Sequence, residues 1–135
     1  MQLRACEVVD RPVVLELVAE ADGVVVGHVL GARADLGGVD VPAIAPLSVL
    51  PGHQRQGVGT ALVTQVLSRA EGDGWPLVAL LGSPAYYGRF GFEASWPFGI
   101  SYAPVGAQNP AFQVRRFAEQ LPQGALTYCW EDGQA

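Results

Sequence analysis

Backbone N–H groups aimed at one point bind an anion without any charged side chain. The stretch Gln54-Arg55-Gln56-Gly57-Val58-Gly59-Thr60 has the composition to supply them. It lies between an apolar run, Ile44 to Leu50, and a helix-like run, Val58 to Ala70. A strand that enters a glycine-rich turn and opens a helix leaves the first N–H groups of that helix without partners, at the end where the macrodipole is positive. Gly57 and Gly59 carry no Cβ, so a phosphate can come close to the main chain there. A strand-to-helix turn that uses its glycines only for tight packing fits these residues equally well, and the neighbouring elements must decide between the two readings.

Upstream, Val13 to Ala19 is rich in β-branched residues and meets the turn Glu20-Ala21-Asp22-Gly23, after which Val24 to Leu30 is again dense in valine. This predicts a hairpin. A second glycine-rich turn, Ala34 to Gly38, leads into Val39 to Leu50, so three antiparallel strands precede the turn at Gly57. The first dozen residues read as a short strand or arm. Pro42 and Pro46 cannot donate to a ladder, which predicts an interrupted or bulged third strand beside the anion site.

Downstream, Val58, Leu62, Val66 and Ala70 recur at i+4, widened by Val63 and Leu67, as on one face of a helix that Gly72 and Gly74 stop. The unbroken apolar run Trp75 to Leu81 is that of a strand covered on both faces. Strand, helix and strand over this distance make a right-handed βαβ crossover, with the second strand parallel to the first and the turn at its carboxyl end. Ser83 and Pro84 are an N-cap and first position for a short helix, Pro84 to Phe90. Further on, Ala111 to Phe117 and Gly124 to Trp130 read as closing strands around an aromatic, proline-punctuated loop from Trp96 to Pro104.

With 135 residues and a hydrophobic fraction of 50%, the chain is expected to be a single α/β (α+β) domain with a real core, residues 1–135. No apolar stretch is long enough to span a membrane and the charged N-terminus is no signal peptide, so a cytoplasmic protein is expected. A net charge of -5 argues against a nucleic-acid surface, and all 8 basic residues are arginines. Cys6 and Cys129 lack metal-ligand spacing, so no metal site is expected and each reads as an ordinary thiol.

Two motifs separated by one helix and one strand carry a resemblance. Gln54, Gly57 and Gly59 match Gln/Arg-x-x-Gly-x-Gly/Ala, and Tyr87, Gly91 and Phe92 match Tyr-x-x-x-Gly-Phe. In this order the chain resembles the GNAT superfamily of N-acetyltransferases. The wording from Pro46 to Val49 and from Gly82 to Phe92 looks most like its YhbS-like branch. The resemblance covers roughly Val13 to Phe117 and implies a mixed, mostly antiparallel sheet with a central βαβ crossover and a coenzyme A cleft. It implies transfer of an acetyl group from acetyl-coenzyme A to an amine of a small molecule or protein.

Residue by residue, the resemblance gives the main chain of Gln54, Arg55, Gln56, Gly57, Val58 and Gly59, with Thr60, to the coenzyme's pyrophosphate. It gives the backbone of Leu47 and Val49 to the pantetheine, with a free N–H there to polarise the thioester carbonyl. Tyr87 becomes the proton donor to the departing thiolate, its phenol pKa of about 10 suiting an acid that stays protonated at neutral pH. Arg89 reads as structural or as a contact to the coenzyme's phosphates, and Ser48 as facing the other side of the strand. No motif selects the base among Glu16, Asp40, His28 and ordered water.

Members of the family begin with a strand and two helices ahead of the hairpin that here starts at Val13, and those N-terminal helices are lacking in this reading. The acceptor cleft is then expected to be completed by another subunit, making a homodimer reasonable, or by the loop Trp96 to Tyr102. The alternative is a coenzyme A-binding accessory module with little catalysis.

Overall fold

The computed structural model describes residues 1–5 and 13–128. Cys6, Cys129, Trp130 and the tail from Glu131 lie outside them, and the expectations for those residues with them. Among the described residues, nine strands and two α-helices follow in the order β1 (Gln2–Ala5), β2 (Val13–Ala21), β3 (Val24–Leu36), β4 (Val39–Val49), α1 (Val58–Gly72), β5 (Leu77–Leu81), α2 (Pro84–Tyr87), β6 (Glu93–Ala94), β7 (Ile100–Ser101), β8 (Phe112–Arg116) and β9 (Gly124–Tyr128). No helix among the described residues is long and apolar enough to cross a membrane.

The sheet runs β1-β2-β3-β4-β5-β8-β6, with β9 added to the far end of β3 and β7 beside it. All pairings in the main path are antiparallel except β4 with β5, which is parallel. The crossover through α1 is therefore where the sequence pattern put it. The hairpin turns are tighter than expected. Asp22-Gly23 and Gly37-Gly38 alone make them, at positive φ (53° and 78°, 58° and 91°), which matches the twist of the flanking strands.

Of the two prolines expected to interrupt β4, only Pro46 does so. Pro42 stays in register opposite Arg33, whereas the β3 pairing slips between Leu47 and Ile44, placing Ala45 and Pro46 in a bulge. The expected helix Pro84 to Phe90 divides into α2 and a 3-10 turn, Gly88–Phe90, closed by Gly91 in the left-handed region (φ 87°). Ser83 caps it as expected, its side chain accepting from the Tyr86 N–H.

Two apolar layers sandwich the sheet. On one face α1 sets Val58, Leu62, Val63, Val66 and Ala70 against Leu15, Leu17, Ala19 and Val29 of β2 and β3, together with Val78 and Leu80 of β5. On the other, Ala32, Ala34, Val41, Ala43, Leu77 and Ala79 are covered by Ile100, Phe112, Leu126 and Tyr128 from the chain after Phe92. The run Leu77–Leu80 is buried because both layers contact it, which is why it alternates nothing.

Leu62 is fully buried at the centre of the first layer. Leu62→Ala should cost about 2–5 kcal/mol through lost contacts and a residual cavity, read as a fall of roughly 10 °C in Tm by calorimetry.

Candidate active site

Parallel pairing of β4 with β5 consists of Ala43 opposite Ala79 and Ile44 opposite Leu80. Past Ile44 the bulge turns β4 aside, and the two strands part. The Leu50 N–H donates to the Val26 carbonyl on the β3 side (2.8 Å). Alternate residues of a strand point their backbone groups the same way, so Leu47 and Val49 turn theirs toward the gap. The Val49 carbonyl accepts from the Gln54 side-chain amide (3.1 Å), which ties the turn to the strand. Leu47 and Val49 pack their side chains on the first apolar layer, while Ser48 faces the other way, opposite His28.

At one end of the gap lies a recess of about 250 Å³ lined by Leu47, Val49, Gln54, Arg55, Gly59 and Tyr86. Arg55 and Gly57 both sit at positive φ (63° and 85°), which folds the chain sharply into α1. The first hydrogen bond of the helix runs from the Ala61 N–H to the Gly57 carbonyl (3.0 Å). No side chain caps the N-terminus, so the N–H groups of Val58, Gly59 and Thr60 are presented outward. Val58 itself is buried, anchored in contact distance of Gly27, while Thr60 is exposed. Gln56 is exposed and donates back to the Gly52 carbonyl (3.4 Å), bracing the turn from outside. The sequence-predicted anion residues are thus brought together around one helix end.

At the other end, a larger recess of about 410 Å³ is lined by Ile44, Ala45, Pro46 and Leu47 of β4, Leu80 and Leu81 of β5, and the tyrosines Tyr87, Tyr102 and Tyr128. Tyr87 is half-buried, its ring lying where a Cβ on Gly82 would come within 2.6 Å and edge-on to Phe92 (5.7 Å between centroids). Burial first, and the neighbouring Tyr86 second, raise its pKa above the ordinary phenol value. It therefore holds its proton throughout the neutral range.

The base candidates do not gather here. Glu16 and His28 pair with each other (2.5 Å) across β2 and β3, and His28 with Ser48 lines a separate shallow depression of about 180 Å³. Asp40 pairs with Arg33 (2.7 Å) in an exposed ion pair near the β3–β4 turn. Arg89 stands behind Tyr86, donating to its carbonyl (3.0 Å) with the guanidinium 4.7 Å from its ring centroid.

Three residues escaped the sequence reading. The motif spacing selects Tyr87 and passes over its neighbour Tyr86, yet the Tyr86 hydroxyl overhangs the helix end. A Cβ on Gly59 would lie 2.8 Å from that oxygen. The small residue at 59 and the tyrosine two elements later were the available signal. Tyr102 and Tyr128 come from the irregular segment and the last strand, and no local pattern marks their convergence, although the loop ending at Tyr102 was expected to help complete the cleft.

The contact between Gly59 and Tyr86 predicts coupled substitutions. Gly59→Ala alone should lower Tm, because the new methyl displaces the Tyr86 hydroxyl. In a Tyr86→Phe background the same change should be neutral or stabilising by up to about 1 kcal/mol, the helix-propensity gain of Ala over Gly. Thermal melts of the four proteins in the cycle test this.

Comparison with known proteins agrees with this geometry. Residues 4–92 match the model of the acetyltransferase (GNAT) family. The chain is 36% identical over 113 residues to the uncharacterized N-acetyltransferase YhbS of Escherichia coli K12, covering 82% of this chain and 67% of that protein. It is 40% identical over 83 residues to the uncharacterized N-acetyltransferase YjhQ of the same organism, covering 58% of this chain and 46% of the relative. The fold superposes on the crystal structure of E. coli YhbS in complex with CoA at a TM-score of 0.84, with 27% identity, over 98% of this chain and 91% of that one. It also matches a GNAT family acetyltransferase from Brucella melitensis in complex with acetyl-CoA, at a TM-score of 0.71 and 34% identity, over 87% and 67% of the two chains. The chain belongs to the GNAT family of acetyltransferases.

Proposed function

We propose that this protein transfers an acetyl group from acetyl-coenzyme A to an amine, by direct attack on the thioester, in the cytoplasm. The observation that carries the reading is the gap between β4 and β5, which has an uncapped helix N-terminus at one end and a half-buried phenol at the other. A molecule with a pyrophosphate, a strand-like amide arm and a reactive thioester matches those three parts in order. The complexes of the two relatives with CoA and acetyl-CoA support the same assignment.

In this reading the N–H groups at the start of α1, with Gln54, Arg55, Gln56, Gly57, Val58, Gly59 and Thr60, hold the pyrophosphate. Leu47 and Val49 pair their gap-facing backbone groups with the pantetheine amides. A backbone N–H on this strand stabilises the carbonyl oxygen as it gains charge during attack. As the carbon–sulfur bond breaks, Tyr87 donates its proton to the sulfur, and the acceptor nitrogen, now bonded to the acetyl carbon, gives up a proton in return. Arg89 acts through Tyr86, holding that ring over the helix end.

Two measurements test the proposal. Acetyl-coenzyme A at 100 times its dissociation constant should stabilise the protein by roughly 2.7 kcal/mol in a thermal-shift titration, and no shift at millimolar ligand would overturn the reading. Tyr87→Phe should lower kcat about 10²-fold or more while leaving the acetyl-coenzyme A dissociation constant within about twofold. The raised phenol pKa adds a sign. The folded state favours the neutral form, so its contribution to stability is complete below the unfolded value of about 10 and is lost as pH rises through the higher folded value. The midpoint at which the wild-type kcat profile loses this acid should accordingly lie above the ordinary phenol value of about 10.

A further inference from the structure

The Tyr86 phenol oxygen stands where β4, the glycine turn and α1 meet. A Cβ on Gly59 would lie 2.8 Å from it and 3.8 Å from the Val49 side chain, and Tyr86 shares the recess at the helix end with Gln54 and Arg55. The ring behind that oxygen is held from several sides. It packs edge-on to Tyr87 (4.9 Å between centroids) and to Phe90 (5.6 Å), and the Arg89 guanidinium lies 4.7 Å from its centroid. Arg89 also donates to the Tyr86 carbonyl (3.0 Å), so one side chain braces both the ring and the main chain of Tyr86. A hydroxyl carried on a ring fixed in this way is in place before a ligand arrives, and little of its freedom is left to lose on binding.

We propose that the Tyr86 hydroxyl is a ligand contact in its own right, donating a hydrogen bond to the pyrophosphate of the bound coenzyme. The inference rests on the acetyl-transfer reading and adds to it a side-chain donor that lies outside both motifs. The uncapped N-terminus of α1 offers the N–H groups of Val58, Gly59 and Thr60 from one side. Tyr86 approaches the same helix end from α2, across the gap. A phenol can donate or accept, and its proton turns about the C–O bond to suit the neighbour. A pyrophosphate oxygen only accepts, so beside it the phenol donates, and a hydrogen bond to a charged acceptor is of the stronger kind. Glycine at 59 fits the same role, because it leaves the phenol oxygen room to sit against the helix. The coenzyme is then gripped between main-chain donors on α1 and a side-chain donor on α2.

The test uses Tyr86→Phe on the full chain, since phenylalanine keeps the ring and removes only the oxygen. Two probes are titrated by calorimetry: coenzyme A, and dephospho-coenzyme A, which keeps the pyrophosphate but lacks the phosphate on the ribose. Tyr86→Phe should weaken both by about tenfold, as expected for loss of a hydrogen bond to a charged group. Phosphorus NMR of saturated complexes should show the pyrophosphate resonances of bound coenzyme A displaced between variant and wild type, with the ribose phosphate unmoved. Tyr87→Phe, which removes the same atom from the neighbouring ring, should leave both affinities within about twofold of wild type. Tyr86→Phe binding coenzyme A as well as wild type does, losing coenzyme A but not the dephospho form, or leaving the pyrophosphate resonances in place overturns the inference. A wild-type chain that binds neither probe overturns the acetyl-transfer reading instead.

Discussion

The parting of β4 from β5 is the constraint on which the rest of this structure depends. Parallel strands joined through a helix normally pair along their length. Here the pairing ends after Ile44 and Leu80, because a bulge at Ala45 and Pro46 turns β4 away. Both recesses and the gap-facing backbone of Leu47 and Val49 follow from that departure. So does the position of α1, whose N-terminus must open where β4 leaves the sheet, one turn beyond Val49. The strands remain bound to the fold because each has a full partner on its other side, β3 for β4 and β8 for β5.

A gap in the middle of a sheet is tolerable only if the layers above and below do not depend on it. The layer under α1 is held by β2 and β3 and by the deep residues of β5, and Val58 at the helix start reaches across to Gly27. The opposite layer is held by β8, β9 and the segment between them, and it delivers Tyr102 and Tyr128 to the edge of the gap. The same loop-rich segment that stabilises the sheet therefore also walls the recess around Tyr87, so core packing and the recess share residues there.

Much of this was legible in the sequence because it is written in local periodicity. The i+4 stripe from Val58 to Ala70, the apolar run to Leu81, the glycine turns and the Ser83-Pro84 cap each follow from interactions within a few residues. The glycine-rich turn that opens α1 was legible for the same reason. What could not be read is non-local. Pro42 and Pro46 look alike in a string, and only the pairing with β3 makes one of them regular and the other the pivot of a bulge. Tyr86 and Tyr87 differ only in which way a short helix turns them. Tyr102 and Tyr128 meet through strand register and ring packing, and the ion pairs that hold Glu16 and Asp40 away from the cleft join residues on different strands or at opposite sides of a turn.

The gap also bears on how the protein behaves before any ligand arrives. The backbone of β4 from Ala45 to Val49 is an unpaired sheet edge placed inside the molecule, and unpaired edges recruit strands from other chains. The tyrosines and Gln54 narrow the approach to it. A bound molecule lying along β4 would close it completely. Occupancy of the cleft is then a matter of colloidal behaviour as much as of chemistry, with the filled form the one less prone to self-association.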